Sequence, residues 1–217
     1  MKERPIRMTA PEVRALLDGT KTQTRRAVKP RNGGTILGWG GPGIAMENLG
    51  TIDGCMHVET VLCPYGQPGD RLWVRETWKY GVAAYDLQNV EVAQYQATPG
   101  VNDNADQEVH MAQWEDRWRP SIHMPRWASR ITIKITSVRV ERLQDISEAD
   151  AFAEGVYDGT PCRCDEPLDF VRSCGNCGGR LVNAIYLYRT LWESLNGPGS
   201  WDANPWVWVV EFERVTS

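Results

Sequence analysis

The stretch DGTKTQTRR, residues 18 to 26, brings one lysine, three threonines and two arginines together directly after an aspartate and a glycine. A threonine hydroxyl can attack an acyl carbon once a base removes its proton, and a desolvated lysine amine can be that base. The same cations can instead hold a phosphate group, or the stretch can be a solvated charged loop. If the chain is extended here, Thr22 and Thr24 lie on the same side, because side chains alternate along a strand.

A second group of residues that could take part in chemistry is a set of cysteines in two close pairs. The pairs are Cys162 with Cys164 and Cys174 with Cys177, separated by nine residues. Four thiolates in this spacing are typical of tetrahedral zinc, and a site closed by four sulfurs predicts a structural ion rather than a catalytic one. Thiols without metal are the alternative. We expect Cys55 and Cys63 to be packed thiols, with a second metal site involving His57 as the other possibility.

Charge and composition limit the class of protein. Residues 1 to 31 carry nine Lys/Arg against three Asp/Glu, a net charge of +6, so the rest of the −4 chain carries −10. An anionic partner should therefore meet the N-terminal segment, and an acidic body disfavours a broad duplex-binding surface. The sequence has no long apolar run and no signal-like N-terminus, so we expect a cytoplasmic protein with no membrane partner.

The elements that must position these residues follow from capping and periodicity. Thr9 and Glu12 have capping-box spacing before a helix that should stop at Gly19. Alternating or β-branched residues predict strands within 68–78, 130–143 and 204–215. Two further helices are predicted, one from Ser147 to Gly155 and a longer one marked by apolar residues from 181 to 195.

This order of elements predicts an α+β fold, a small β-barrel decorated with helices, rather than a doubly wound sheet. Residues 31–50 are glycine-rich and without clear periodicity, so a long loop is expected there. The polar segment 79–127 is interpreted as an insertion. The length of 217 residues favours one domain.

Four segments in this order resemble the ASCH domain family: LLDGTKTQTRR, PGDRLWVRETW, LQDISEADAFAEG and WVWVVEFERV. The likeness covers residues 4–31, 66–78, 128–156 and 183–215. Two further segments, WRPSIHMPRWASRI and GPGSWDANPWVW, resemble longer members encoded by phages and prophages. The resemblance implies a PUA-like mixed β-barrel in a single domain, with insertions at 32–64, 79–126 and the cysteine-rich 157–180, and recognition of RNA or modified nucleosides.

One branch of that family, the N4-acetylcytidine amidohydrolases, carries the pattern G-x-K-T-x-T-x-R, which this chain matches from Gly19 to Arg26. The resemblance implies Lys21 as proton acceptor, Thr24 as nucleophile and Glu154 as proton donor, with no organic cofactor. Each residue has a simpler interpretation: Lys21 can bind phosphate, Thr24 can be an ordinary strand residue, and Glu154 can be solvated. The chain is about twice as long as those hydrolases, so the insertions could cap or enlarge the pocket.

The expected substrate-binding residues surround this motif and the edge of the strand after PGD. They are Thr22, Arg25, Arg26, Arg75, Glu76 and Trp78, with an ion pair as the alternative for Arg75 and Glu76. Trp73, Trp206 and Trp208 are predicted core residues, whereas Trp78, Trp114, Trp118 and Trp127 could stack on bases. For the lone His123 we favour a structural hydrogen-bonding role.

Two alternatives to a hydrolase stay open at this point. In the first, the chain is a non-catalytic module for single-stranded RNA, whose phosphates are held by Lys21, Arg25, Arg26 and Lys29. In the second, it is a ribonuclease that uses the same basic cleft. Salt-sensitive binding of single strands would favour the module, and strand cleavage would favour the ribonuclease.

Overall fold

A computed structural model describes residues 1–85, 88–98, 113–156, 172–173, 180–181 and 183–215 of the chain. These residues form thirteen strands and three α-helices. The strands are β1 (Glu3–Arg7), β2 (Gln23–Ala27), β3 (Thr35–Gly41), β4 (Ile44–Ile52), β5 (Cys55–Leu62), β6 (Arg71–Arg75), β7 (Trp78–Tyr85), β8 (Gln88–Tyr95), β9 (Gln113–Trp114), β10 (Thr132–Arg142), β11 (Arg172–Ser173), β12 (Arg180–Leu181) and β13 (Trp206–Arg214). The helices are α1 (Ala10–Leu17), α2 (Glu148–Ala153) and α3 (Ala184–Asn196).

The central sheet has five strands in the order β1-β6-β10-β13-β2. β1 and β6 run parallel, and the other neighbours are antiparallel. The sheet and its helices confirm the α+β class and the three predicted core strands. Within the described ranges the sheet is open, with β1 and β2 at its edges, and does not close into the expected barrel.

The long strand β10 shows why the alternation of apolar and polar residues predicted a core strand correctly. Ile133 and Ile135 alternate with exposed Lys134 and are fully buried in the main core. The register against β13 then shifts between Ile135 and Ser137, which is the signature of a β-bulge. The bulge moves the buried positions from odd to even numbers, so Val138 continues the core face.

The helices begin and end where capping predicted. Thr9 and Glu12 form the capping box of α1, and the Ser147 side chain accepts a hydrogen bond from the Asp150 amide at the start of α2. Gly19 follows α1 with a φ of 77°, a left-handed conformation that glycine adopts without a Cβ penalty. None of the helices within the described ranges is long and apolar enough to cross a membrane.

The prediction of a loop over residues 31–50 is wrong. β3 and β4 pair with β5 in an antiparallel three-stranded sheet whose inner residues, such as Ile36 and Ala45, are buried in the main core. The Glu47 carboxylate fixes the entry to this sheet by accepting hydrogen bonds from the amides of Arg31, Asn32 and Gly34. The frequent glycines obscured the alternation, because glycine contributes no side chain to either face.

Part of the segment interpreted as an insertion also forms a sheet, with strand order β8-β7-β9. Trp78 and Tyr95 are fully buried in a small separate core with Met124. The Tyr95 hydroxyl donates to the Ala128 carbonyl at 2.9 Å and ties this sheet to the segment that leads into β10.

Candidate active site

The motif residues are held where the end of α1, the start of β2 and the end of α2 meet. The amides of Thr20 and Lys21 both donate to the Ala15 carbonyl, at 2.9 and 3.0 Å, which closes the turn after α1. Lys21 then forms a β-bridge with Glu154. Gly155 makes this approach possible, because a Cβ there would lie 2.6 Å from Ala15 Cβ and 2.9 Å from Lys21 Cβ.

Lys21 lies at the centre of this junction and has no solvent-exposed side-chain surface. Its Nζ donates to Glu154 Oε2 at 2.9 Å and to the Glu154 carbonyl at 2.8 Å. A second carboxylate oxygen, Glu12 Oε1, is 3.9 Å away. The amine is therefore held by fixed acceptors in a fully buried position, where its carboxylate neighbour can exchange a proton with it directly.

Glu12 connects the helix cap to the site and was not singled out from the sequence as a site residue. Its Oε2 accepts from the Thr9 amide and hydroxyl, at 2.8 and 2.9 Å, and its Oε1 accepts from Arg26 Nη2 at 3.2 Å. Burial raises the pKa of Glu12, but the charges of Arg26 and Lys21 and the two hydrogen bonds outweigh it and leave the pKa below its usual value. Glu12 is therefore a carboxylate at neutral pH.

Arg25 is the second buried cation. Its guanidinium lies 3.4 Å from Glu154 Oε1 and 3.3 Å from oxygens of both Glu141 and Asp150. Burial raises the pKa of Asp150, and the Ser147 hydrogen bond and the Arg25 charge more than offset it, so the pKa is lowered. We name Lys21, Arg25, Glu12, Glu141, Asp150 and Glu154 the carboxylate network. In it Arg25 orients Glu154, and Arg25 also lines the cavity described next, where a substrate contact was predicted for it.

A cavity of about 440 Å³, the cleft, opens beside this network. Thr24, Arg26 and Glu154 line it, whereas Lys21 lies behind Glu154 and does not. Thr24 is 1% exposed, and its hydroxyl forms no hydrogen bond with any described residue. A buried hydroxyl without a partner at a cavity wall is available to a ligand or a substrate.

The opposite wall of the cleft comes from α3, through Tyr188, Trp192 and Asn196. Burial, with a contribution from the nearby Glu154, raises the pKa of Tyr188 well above its usual value. The Trp192 Nε1 donor has no acceptor among the described residues. Tyr188 and Trp192 stand four residues apart on one face of the helix. That spacing predicted the helix, but it could not show that this face also borders a cavity.

Three of the predicted substrate-binding residues do not line the cleft. Thr22 is exposed, and its amide donates to the Ala153 carbonyl, so it does not share a side with Thr24 as expected. β2 begins one residue after Thr22, which removes the alternation that would have aligned the two threonines. Glu76 is buried and pairs with Arg130 at 3.0 Å, and Trp78 is 1% exposed in the small core.

The other three follow the prediction more closely, and Arg25 lines the cleft. Arg26 lines the cleft, and Arg75 lines an adjoining cavity together with Arg26. Arg75 does not pair with Glu76, and its guanidinium lies 4.6 Å from the ring centre of Trp73.

The four cysteines expected to bind zinc, Cys162, Cys164, Cys174 and Cys177, lie outside the described residues. Of the other two, Cys63 is buried as expected, and burial raises its pKa. Cys55 is exposed, in contrast to the prediction of a packed thiol, because it starts β5 directly after a turn. His57 is exposed as well, and no cluster of three metal-ligating side chains occurs in the described part of the chain.

The aromatic and histidine predictions had mixed outcomes. Trp73 and Trp208 are buried and Trp206 packs partly buried against the core, as predicted. Trp118 and Trp127 are exposed and Trp114 is half-buried, but none of them lines the two cavities. His123 is exposed, and its ring forms no hydrogen bond within the described ranges, so the expected structural role is not observed.

Comparison of the chain with protein families, with curated proteins and with solved structures found no match. The function must therefore be argued from the cleft and its residues.

Proposed function

We propose that this chain is an ASCH-type, PUA-like protein that acts as an amidohydrolase and removes an acyl group from N4-acetylcytidine-type substrates. The observation that carries the proposal is the convergence of three residues of different roles. Thr24 offers an unengaged hydroxyl to the cleft, Glu154 offers a carboxylate to the same cleft, and Lys21 contacts that carboxylate from behind at 2.9 Å. A nucleophile beside an oriented proton-transfer pair is the arrangement that acyl transfer needs.

The cleft has the size and lining for one nucleoside. Its volume of about 440 Å³ falls within the roughly 300–1,000 Å³ of small-molecule sites. The aromatic side chains of α3 supply an apolar wall, and Arg26 and Asn196 supply polar groups that could read the edge of a base. A polymer would have to present one extruded base to enter it.

Proton transfer within the Lys21–Glu154 hydrogen bond gives the two residues the states that the reaction requires. When the proton sits on Glu154, Lys21 is a neutral amine and Glu154 is an acid. Substrate binding must first turn Thr24 Oγ1, which has no hydrogen bond to a described residue, toward Lys21. Thr24 Oγ1 then attacks the acyl carbon and gives its proton to Lys21, and Glu154 protonates the N4 amine as the C–N bond breaks. Cytidine leaves, an acyl ester remains on Thr24, and the pair is now ammonium and carboxylate.

Deacylation runs the same transfers in reverse. Glu154 takes a proton from water, the resulting hydroxide attacks the ester, and Lys21 returns a proton to Thr24 Oγ1 as acetic acid leaves and ionises in solution. The pair is again the neutral amine and acid, so the cycle closes without a net change of charge. Arg25 holds the other Glu154 oxygen at 3.4 Å and fixes the carboxyl group toward the cleft.

The proposal is tested by chromatography of N4-acetylcytidine incubated with the wild type and with Thr24→Ala. Thr22→Ala is the matched control, because it removes a threonine hydroxyl two residues away that is exposed and outside the cleft. We expect cytidine and acetate from the wild type and the control and none from Thr24→Ala. Lys21→Ala should also be inactive, with thermal unfolding measured alongside because it removes one of the two cations that contact the buried Glu154 carboxylate.

Absence of turnover by the wild type would refute the hydrolase. Salt-sensitive binding of single-stranded RNA by the same preparation would then identify a binding module, and cleavage of that RNA would identify a ribonuclease. Turnover that Thr24→Ala retains would instead remove Thr24 from the mechanism.

A further inference from the structure

A second cavity, of about 360 Å³, adjoins the cleft. Three arginines dominate its wall, Arg7, Arg26 and Arg75, together with Tyr65 and the exposed Ile122, and no Asp or Glu among the described residues lines it. Arg7 and Arg26 line both cavities, so the two spaces are neighbours on either side of these side chains. We name this second space the arginine cavity.

The backbone brings the three arginines together. Arg7 ends β1 and Arg75 ends β6, and the two are partners in the parallel ladder. Arg26 reaches them from β2, where its Nη2 donates to the Arg7 carbonyl at 2.9 Å. Parallel neighbours in register stand side by side, so the two guanidinium groups start from adjacent backbone positions.

Carboxylates balance one of these three charges. Arg26 pairs with Glu12 at 3.2 Å. The side chains of Arg7 and Arg75 form no ion pair or hydrogen bond with any described residue, and Arg75 Nε is buried without an acceptor. Like charges held together without anions repel each other, and a bound anion would relieve that repulsion.

Tyr65 adds a neutral donor to the arginine cavity. Burial raises its pKa, and the charges of Arg26 and Arg7 lower it without cancelling the effect, so the hydroxyl stays protonated. It forms no hydrogen bond within the described part of the chain. Guanidinium groups beside a hydroxyl donor match the oxygens of a phosphate ester.

We propose that the arginine cavity binds the phosphate of a cytidine nucleotide whose acylated base occupies the cleft. The preferred substrate is then a phosphate ester, as a free nucleotide or a residue of a strand, rather than the nucleoside. The inference rests on the proposed function for the occupant of the cleft.

The first test compares kcat/KM for N4-acetylcytidine, its monophosphate and an oligoribonucleotide with one N4-acetylcytidine residue. We expect a phosphate-bearing substrate to be preferred at least about tenfold, and Arg75→Met to reduce this ratio to about one. Arg126→Met is the matched control and should keep the ratio. Arg126 also lies over the Trp73 ring, at 5.9 Å, but it pairs with Glu3 and lines neither cavity. Equal kcat/KM for all three substrates in the wild type would overturn the proposal.

The two phosphate-bearing substrates distinguish the sources of the phosphate. A preference for the monophosphate alone identifies a free nucleotide, and a preference for the oligoribonucleotide identifies a strand. Either result supports the arginine cavity as the phosphate site.

The second test does not require turnover and separates the two proposals. Calorimetric titration with cytidine and with cytidine monophosphate should show at least about tenfold tighter binding of the monophosphate, lost in Arg75→Met and kept in Arg126→Met. That result without hydrolysis would support the phosphate site and refute the amidohydrolase. Equal binding of both ligands would overturn the phosphate site, whatever the assay of hydrolysis shows.

Discussion

The carboxylate network and the arginine cavity lie on two sides of Arg26. They differ in whether carboxylates are paired with their positive charges. In the network, Lys21 and Arg25 are fully buried and four carboxylates surround them. In the arginine cavity, Arg7 and Arg75 keep more contact with solvent and pair with none of the described carboxylates. Balanced buried charge positions groups for chemistry, whereas unbalanced charge at a cavity wall is suited to an anion that arrives with the ligand.

The largest expected effect falls on Thr24, the proposed nucleophile beside the network. Thr24→Val keeps the β-branched shape and removes a hydroxyl that bonds to no described residue, so the fold should tolerate it. Turnover of N4-acetylcytidine should fall by at least about a thousandfold, since the attacking oxygen is gone. Thr22→Val should keep wild-type turnover, and equal losses in both variants would show that the effect is not specific to the cleft.

The two regions should differ clearly in how much an arginine substitution changes the free energy of unfolding. Arg25→Met removes a fully buried cation that contacts three buried or half-buried carboxylates, each of which keeps one other cation, and should reduce the free energy of unfolding by about 3 kcal/mol. Arg75→Met removes an arginine without an ion pair in the described chain and keeps an apolar contact with Trp73. Its free energy of unfolding, measured by urea denaturation, should stay within about 1 kcal/mol of the wild type. Similar losses in both variants would remove the distinction between the two regions.

A smaller effect, with a defined pH dependence, is expected for Glu12. Because its pKa is lowered in the folded state, the charged carboxylate stabilises the fold above its unfolded value of 4.5, and this contribution is lost as pH falls through the folded pKa. Glu12→Gln should therefore lower the unfolding midpoint at neutral pH, with a difference from wild type that shrinks in acid. Glu3→Gln, in an exposed pair with Arg126, is the control. A difference for Glu12→Gln that is constant across pH would contradict the assigned charge.

The smallest effect on activity is expected for the cysteine pairs, which belong to neither region. If they hold a structural zinc, elemental analysis should find about one zinc per chain, and Cys174→Ser should lower it while buried Cys63→Ser does not. Turnover at moderate temperature should change less than about twofold. Equal zinc in wild type and Cys174→Ser would rule out the predicted site.

The sequence predicted the elements whose signals come from residues close together in the chain. Capping residues gave α1 and α2, and the alternation in β10 gave the core strand, because both signals lie within a few neighbouring residues. The sheet of β3, β4 and β5 was missed, since Gly38, Gly40 and Gly41 interrupt the alternation of side chains in β3 and Gly50 interrupts it in β4.

The motif residues of the candidate site could be named from the sequence, whereas most of the residues around them could not. Lys21, Thr24 and Glu154 were found through the resemblance, and the structure places all three at one junction. Glu12 and Arg7 were not found, because their roles depend on long-range contacts. Glu12 reaches Arg26 across fourteen residues, and Arg7 meets Arg75 through strand pairing. Thr22 was wrongly included, because the motif alone does not show where β2 begins.

The central claim is that Thr24 carries the acyl group during turnover, and peptide mapping of protein quenched during reaction with N4-acetylcytidine tests it most directly. We predict an acetyl group on Thr24 of the wild type and no acetylated residue in Thr24→Val. Turnover by the wild type without acetyl on Thr24, together with retained turnover by Thr24→Val, would contradict the account.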